Sequence, residues 1–314
     1  MGYFLGFDGG GTKTDCVILN AKGTVIGEGR AGPANPLRAG YTGAFLSLRG
    51  AAAAAISNAK IRPAAITAVC AGLAGAGRRS VVRRVTVFLS EEFPVATTQV
   101  TTDYEIALEA AVGTGPGVVL ISGTGSVAYG RNQAGETARV GGYGPWLGDE
   151  GSAFEIGRRA VSAVARSRDA DAPVTVMAEM ISAALECPDW DDLMLRIMKT
   201  PDEVFPKLFP VVAAAANSDD SAAKEILFGS AIGLGHLAML VIRRLGMKAQ
   251  EFPLVKCGGI FGNSTVLDPL LDSVLASGAL RAKISRLEIS PAVGAARIAA
   301  RISESPSQAA SHGA

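Results

Sequence analysis

Twice along this chain a glycine- and threonine-rich turn lies between two apolar runs of strand length, and that recurrence limits the fold more than any other feature. The first turn is Gly6-Phe-Asp-Gly-Gly-Gly-Thr-Lys-Thr-Asp15, between residues 3–7 and 16–19. The second is Ser122-Gly-Thr-Gly-Ser126, between residues 117–122 and 126–130. Runs of this kind broken by Gly and Asn read as hairpins, and further turns of that composition stand at 20–23 and 132–135.

The rest of the pattern follows each opening. Residues 24–28 predict a third strand. An Ala-rich helix is expected over 40–60, a buried strand over 65–71, a helix over 78–89, a strand over 99–102 and a helix over 104–111. After the second turn the chain is mostly helical, with helices expected over 150–165, 173–185, 190–198, 204–216 and 221–245. A strand at 253–257, a helix at 265–275, a strand at 287–289 and a last helix from 291 complete the pattern. A strand–hairpin–helix unit that opens twice implies two α/β lobes facing each other. Their expected limits are 1–113 and 114–290, with a hinge near 112–116. The helix 291–303 is expected to pack back on the first lobe, and 304–314 to form a frayed tail.

Composition narrows the functions open to such a pair. The chain has 314 residues, 48% apolar and 19% charged, with a net charge of +1, which supplies a sizeable core and no polyanion-binding bias. Arg78, Arg79, Arg83 and Arg84 are the densest basic cluster and read as the solvated face of one helix, so no nucleic-acid partner is expected. No apolar run reaches the ~18 residues of a membrane span; the longest, 231–242, carries His236. The opening residues lack the basic and apolar segments of a targeting peptide. Cys16, Cys70, Cys187 and Cys257 are scattered with no CxxC spacing, which argues against a zinc or iron–sulfur site. A reduced, cytoplasmic protein without a membrane partner is the expectation, with a homodimer left open.

The turns carry the chemistry. In the first, Gly9, Gly10 and Gly11 let backbone N–H groups approach phosphate oxygens. Thr12 and Thr14 offer hydroxyls and Lys13 a positive charge, while Asp8 is placed to hold hydrated Mg²⁺. The turn is not a P-loop, because Thr12 stands where that pattern requires Lys. In the second, Gly123, Thr124, Gly125 and Ser126 form a matching phosphate turn. The sequence continues as strand there, which excludes the dinucleotide fingerprint that Gly123 and Gly125 imitate. Asp103, at the end of Thr101-Thr102-Asp103, reads either as a helix N-cap or as the base that takes a proton from an acceptor hydroxyl. The stretch 141–153 combines Tyr143 and Trp146 with Asp149 and Glu150, an aromatic surface beside carboxylates that suits a sugar. Asp149 as a plain helix cap is the alternative. Gly258 and Gly259, after a strand, permit close approach of a flat ring or form an ordinary turn.

In that order, the stretches GFDGGGTKTD, TTD, LISGTGS and GYGPWLGDEGSAF resemble the N-acetylglucosamine kinase branch of the BadF/BadG/BcrA/BcrD ATPase family, within the sugar kinase, actin and heat-shock chaperone superfamily. The resemblance implies two ribonuclease H-like (actin-like ATPase) lobes around a nucleotide and sugar cleft, with ATP and Mg²⁺ as cofactors. It implies that Gly9 to Thr14 and Gly123 to Ser126 bind phosphates, that Gly258 and Gly259 bind adenosine, and that Asp103 is the base. Asn35, Thr124, Gly142, Tyr143, Asp149 and Ala153 fall where relatives contact an amino sugar, and Tyr143 stands where animal members carry Trp. The implied activity is phosphorylation of N-acetylglucosamine at its 6-position. Glucosamine, N-acetylmuramic acid and glucose remain alternatives, as does a regulatory ATPase without a sugar. The family's reductase activators carry cluster cysteines that this chain lacks.

Overall fold

A computed structural model describes residues 2–304. It divides into two compact units, Met1–Gly115 with Leu287–Ala314, and Pro116–Arg286. The tail expected at 304–314 lies outside the described residues, apart from Glu304.

The first unit opens with β1 (Tyr3–Gly9), β2 (Thr14–Leu19), β3 (Val25–Ala31) and α1 (Pro36–Ala59), then continues through β4 (Ile66–Leu73), α2 (Arg79–Glu92), β5 (Thr97–Thr102) and α3 (Asp103–Val112). Its sheet has the order β3-β2-β1-β4-β5; β1, β2 and β3 form an antiparallel meander, and β4 and β5 run parallel to β1. Alternation along β1 sorts the two faces. Leu5 and Phe7 join the core under α1 and α2, with Leu48, Val85 and Leu89. Phe4 packs on the opposite face with Ile106 of α3 and an alanine-lined terminal helix.

The second unit repeats the scheme. It comprises β6 (Gly117–Ser122), β7 (Ser126–Arg131), β8 (Thr137–Gly141), α4 (Ala153–Arg168), α5 (Met177–Leu185), α6 (Trp190–Lys199), α7 (Pro201–Val204), α8 (Phe209–Asn217), α9 (Ser221–Arg244), β9 (Phe252–Cys257), α10 (Leu267–Gly278) and β10 (Ala282–Arg286). The order β10-β9-β6-β7-β8, with β7 and β8 antiparallel and β9 and β10 parallel to β6, is the first sheet over again. Several helices are inserted between β8 and β9, where the first unit has α1 and a 3₁₀ turn at Pro63–Ala65 between its meander and β4. By length and composition α9 could cross a membrane. Its Leu227, Leu234, Ala238, Val241 and Ile242 are fully buried within this unit's core, which accounts for its apolar character.

The final helix, α11 (Pro291–Glu304), packs on β1 and α3 of the first unit. Its inward face is Ala292, Ala295, Ala296 and Ala299, all fully buried. Small residues let it lie directly on the sheet: a β-carbon at Gly6 would fall 2.2 Å from the Ala296 nitrogen. Arg301 donates to Glu109 at 2.8 Å and pins the helix end to α3.

Several elements differ from the sequence reading. The last strand is Ala282–Arg286 rather than 287–289; three of its five residues are exposed, and only Ala282 and Ile284 pack on the core, which leaves a weak apolar signal. The edge strand β8, Thr137–Gly141, is a further element that the sequence reading did not contain; it is only five residues long, with Val140 as its one large apolar residue. The helix expected over 204–216 is interrupted by a 3₁₀ turn at Phe205–Leu208, with Pro206 and Pro210 at the starts of successive segments. In α1, Gly40 has φ +67°, so residues 36–39 form a turn of their own before the long helix.

Candidate active site

In the first unit the candidate residues gather at the carboxyl ends of β1, β4 and β5. Asp8 pairs in register with Gly72 of β4, and Gly72 with Thr101 of β5. Two residues beyond Thr101, Asp103 begins α3. The two acids sense each other. Burial, then the charge of Asp103, then that of Asp15, push the Asp8 carboxyl up to about 7, with Lys13 opposing. A partly buried carboxylate raised by a like charge is relieved by a cation, so these residues fit a Mg²⁺ that one or two carboxylates share with substrate phosphates. Among the described residues no group of three or more His, Cys, Asp or Glu could hold a metal alone.

Asp103 is not the helix cap. Thr102 is, in a capping box: its backbone N–H and hydroxyl both donate to Glu105, at 3.0 and 2.7 Å. The cap and the candidate base are therefore adjacent residues, which Thr-Thr-Asp alone did not separate.

The turn at 10–13 closes through Gly10 N–H to the Lys13 carbonyl at 2.9 Å. Two side chains here, Thr14 buried and Lys13 exposed, have partners within the first unit. Thr14 is fully buried and donates to the Gly32 carbonyl at 2.7 Å. Lys13 pairs with Asp15 at 2.5 Å. The Gly10 carbonyl accepts from Asn35 N–H at 3.1 Å, and Asn35 caps α1 through Leu37 N–H at 3.0 Å. The glycine-rich segment 70–77 closes on the same place. Ala74 N–H donates to the Gly9 carbonyl at 2.9 Å, and a β-carbon at Gly75 would lie 3.0 Å from Asn35 Oδ1.

In the second unit the candidates surround the end of β6. Gly123 N–H donates to the Gly125 carbonyl at 2.9 Å and closes the β6–β7 turn. The loop 149–153 is tied to this turn by three bonds. Ser122 Oγ donates to the Gly151 carbonyl at 2.8 Å, Ser126 Oγ to the Glu150 carbonyl at 2.7 Å, and Ala153 N–H to the Gly123 carbonyl at 2.9 Å. Ser126 was expected among the phosphate contacts; its hydroxyl serves this tie instead, and neither serine's partner could be read from the sequence because it lies more than twenty residues away. Asp149 is buried with φ +62°. It does not cap α4; Ser152 does, accepting from Glu155 N–H at 3.2 Å. A β-carbon at Gly125 would fall 2.6 Å from Asp149 Oδ2. Tyr143 and Trp146 are 61% and 71% exposed; the Arg139 guanidinium lies over the Tyr143 ring at 5.0 Å, and Trp146 packs edge-on against Phe154. Gly142 N–H donates to the Ser126 carbonyl at 2.9 Å. Gly258, at φ +115°, lies so near the Ser122 carbonyl that a β-carbon would be 2.2 Å from its oxygen. Gly258 and Gly259 thus reach the same strand end as the second turn.

Each unit therefore brings its own candidates together. A family model described as the BadF/BadG/BcrA/BcrD ATPase family matches residues 5–299. The chain belongs to this family of ATPases. It is 29% identical over 312 residues to an N-acetyl-D-glucosamine kinase of Dictyostelium discoideum, covering 94% of this chain and 97% of that one. It is 30% identical over 305 residues to an N-acetylmuramic acid/N-acetylglucosamine kinase of Clostridium acetobutylicum, covering 95% and 98%. The structure of a Chromobacterium violaceum protein provisionally named an N-acetylglucosamine kinase superposes with a TM-score of 0.76 at 24% identity, covering 96% and 99%. The same sheet order recurs in each unit, as expected of the two ribonuclease H-like halves of an actin-like fold.

Proposed function

We propose that this protein is an ATP-dependent sugar kinase that transfers the terminal phosphoryl group of ATP to O6 of an amino sugar, N-acetylglucosamine first among them. The observation that carries the reading is the strand register that brings Asp8 and Asp103 to one sheet end, where burial and then the charge of Asp103 raise the Asp8 carboxyl. One acid is suited to hold hydrated Mg²⁺, the other to take a proton. The names of two relatives that align over nearly their whole length support the amino sugar.

Bound Mg²⁺ would neutralise charge on the phosphate oxygens. In the first unit the glycine-lined turn at 9–14 offers backbone N–H groups to phosphate; in the second the turn at 123–126 does the same, and Gly258 and Gly259 leave room for adenosine. Asn35 in the first unit, and the buried Asp149 in the second, each serve as partners for sugar hydroxyls. Asp103 aligns the acceptor hydroxyl and takes its proton as the new O–P bond forms. The bond from the terminal phosphorus to the bridging oxygen breaks, and ADP leaves. The expected setting is the cytoplasm, where the buried thiols Cys16 and Cys70 stay reduced.

An ADP-release assay with N-acetylglucosamine, glucosamine, N-acetylmuramic acid, glucose and no sugar tests this. Release should depend on sugar, with N-acetylglucosamine giving the highest kcat/KM. Equal release with and without sugar would favour a regulatory ATPase and contradict the kinase reading.

A further inference from the structure

Lys13 is the cation that the sequence offers to the first phosphate turn, but its ammonium is held by Asp15, which also binds Arg30 at 2.5 Å. Burial works against the charge on Asp15, yet the hydrogen bonds from Lys13 and Arg30 outweigh it and hold this carboxyl below its ordinary range. Moving Lys13 onto a phosphate would leave Asp15 with Arg30 alone.

A second cation already lies on the turn. Arg38 belongs to the short helical turn 36–39. A β-carbon at Gly11 would be 3.3 Å from Arg38 Cδ, 3.4 Å from Nη1 and 3.8 Å from Nε. The arginine stem and head therefore rest against the Gly11 backbone. Main-chain bonds fix this placement. Ala34 and Asn35 N–H both donate to the Gly10 carbonyl, at 3.2 and 3.1 Å, and Arg38 N–H donates to the Asn35 carbonyl at 3.1 Å. Gly40 breaks the helix just beyond, so the phosphate turn, rather than the long helix, orients residues 36–39.

We propose that Arg38, rather than Lys13, contacts the terminal phosphoryl group of ATP and so distinguishes ATP from ADP. The proposal rests on the nucleotide site of the kinase reading above. A guanidinium presents paired donors that match two phosphoryl oxygens, which a single ammonium does not. Charge on a transferring phosphoryl group spreads over its three equatorial oxygens, where such a fork is most effective. Asn35 and Arg38 share one helical turn, so the sugar contact and the phosphoryl contact are held at a fixed separation.

The test is calorimetric titration of ATP and of ADP, each with Mg²⁺, into the full chain and into Arg38→Gln, Arg38→Lys and Lys13→Ala. Arg38→Gln keeps most of the stem that lies on Gly11, and circular dichroism checks that each variant is folded. Arg38→Gln should weaken ATP binding at least tenfold and ADP binding less than twofold. Arg38→Lys should recover part of the loss, and Lys13→Ala should cost less ATP affinity than Arg38→Gln. Equal losses for ATP and ADP in Arg38→Gln, no loss in either, or a larger ATP-specific loss in Lys13→Ala overturns the assignment. Because no sugar is present, the result stands apart from the acceptor. A wild-type chain that passes this test but phosphorylates no sugar defeats the kinase reading alone.

Discussion

Asp149 occupies the space that a side chain on Gly125 would need, with its Oδ2 2.6 Å from the β-carbon position. The Asp149 backbone cannot easily yield, because its carbonyl accepts from Ser152 N–H at 3.0 Å. Gly125→Ala should therefore displace the carboxylate and act like Asp149→Ala. Hydrogen bonds to a charged group contribute about 1.5–3 kcal/mol, so each variant should raise the sugar KM by roughly 10- to 150-fold. The double variant should be little worse than either single one, since both remove the same contact. Steady-state kinetics with varied sugar give the comparison, and additive effects would separate Asp149 from Gly125.

Asp103→Asn should lower kcat by ~10²–10⁴, the usual contribution of a positioned base. ATP affinity and thermal stability should change little, because Thr102 and Glu105, not Asp103, cap α3. Thr102→Ala should do the reverse, losing about 1 kcal/mol of stability through the cap. Urea titration and turnover measured on both variants distinguish the neighbours. Wild-type-like turnover in Asp103→Asn would remove it as the base.

Asp8 sets a pH dependence of definite sign. Its native carboxyl titrates near 7 against an ordinary 3.8. Between those values the folded chain keeps a proton that the unfolded chain has lost, so stability falls as pH rises through that window and levels off above it. Asp8→Asn should flatten this part of the profile and leave the variant relatively more stable at pH 8. Melting temperatures of both proteins from pH 4.5 to 8 provide the test. A difference between them that does not vary with pH would contradict the raised carboxyl.

The contact of α11 on β1 predicts a purely structural effect. Gly6→Ala places a methyl group 2.2 Å from the Ala296 nitrogen and 2.3 Å from the Ala292 carbonyl oxygen. Overpacking against backbone should cost about 3 kcal/mol, read as a lower denaturation midpoint. An unchanged midpoint would mean that α11 does not lie on the sheet as described.

The repeated strand–turn–strand openings were legible because their chemistry is local. Residues 117–122 appear as β6 with the limits expected, and the Gly and Asn turns fall where the hairpins need them. Strand β10 was not legible, since Lys283 and Arg286 on an exposed edge look like loop residues. Within the site, residue type suggested phosphate contacts for Lys13 and Thr14, but their partners, Asp15 and Gly32, are set by the pairing of β2 with β3 and by the chain beyond it. Asp149 stood out only as an acid in an aromatic loop; its burial depends on serines more than twenty residues earlier. Arg38 had no motif around it, and only the folded turn brings it onto Gly11.

Phosphorus NMR of the products tests the central assignment most directly. The wild-type chain, incubated with MgATP and N-acetylglucosamine, should yield a sugar 6-phosphate ester in step with ADP, while Asp103→Asn should yield almost none. Inorganic phosphate as the sole new phosphorus species beside ADP, formed at the same rate without the sugar, would contradict the account.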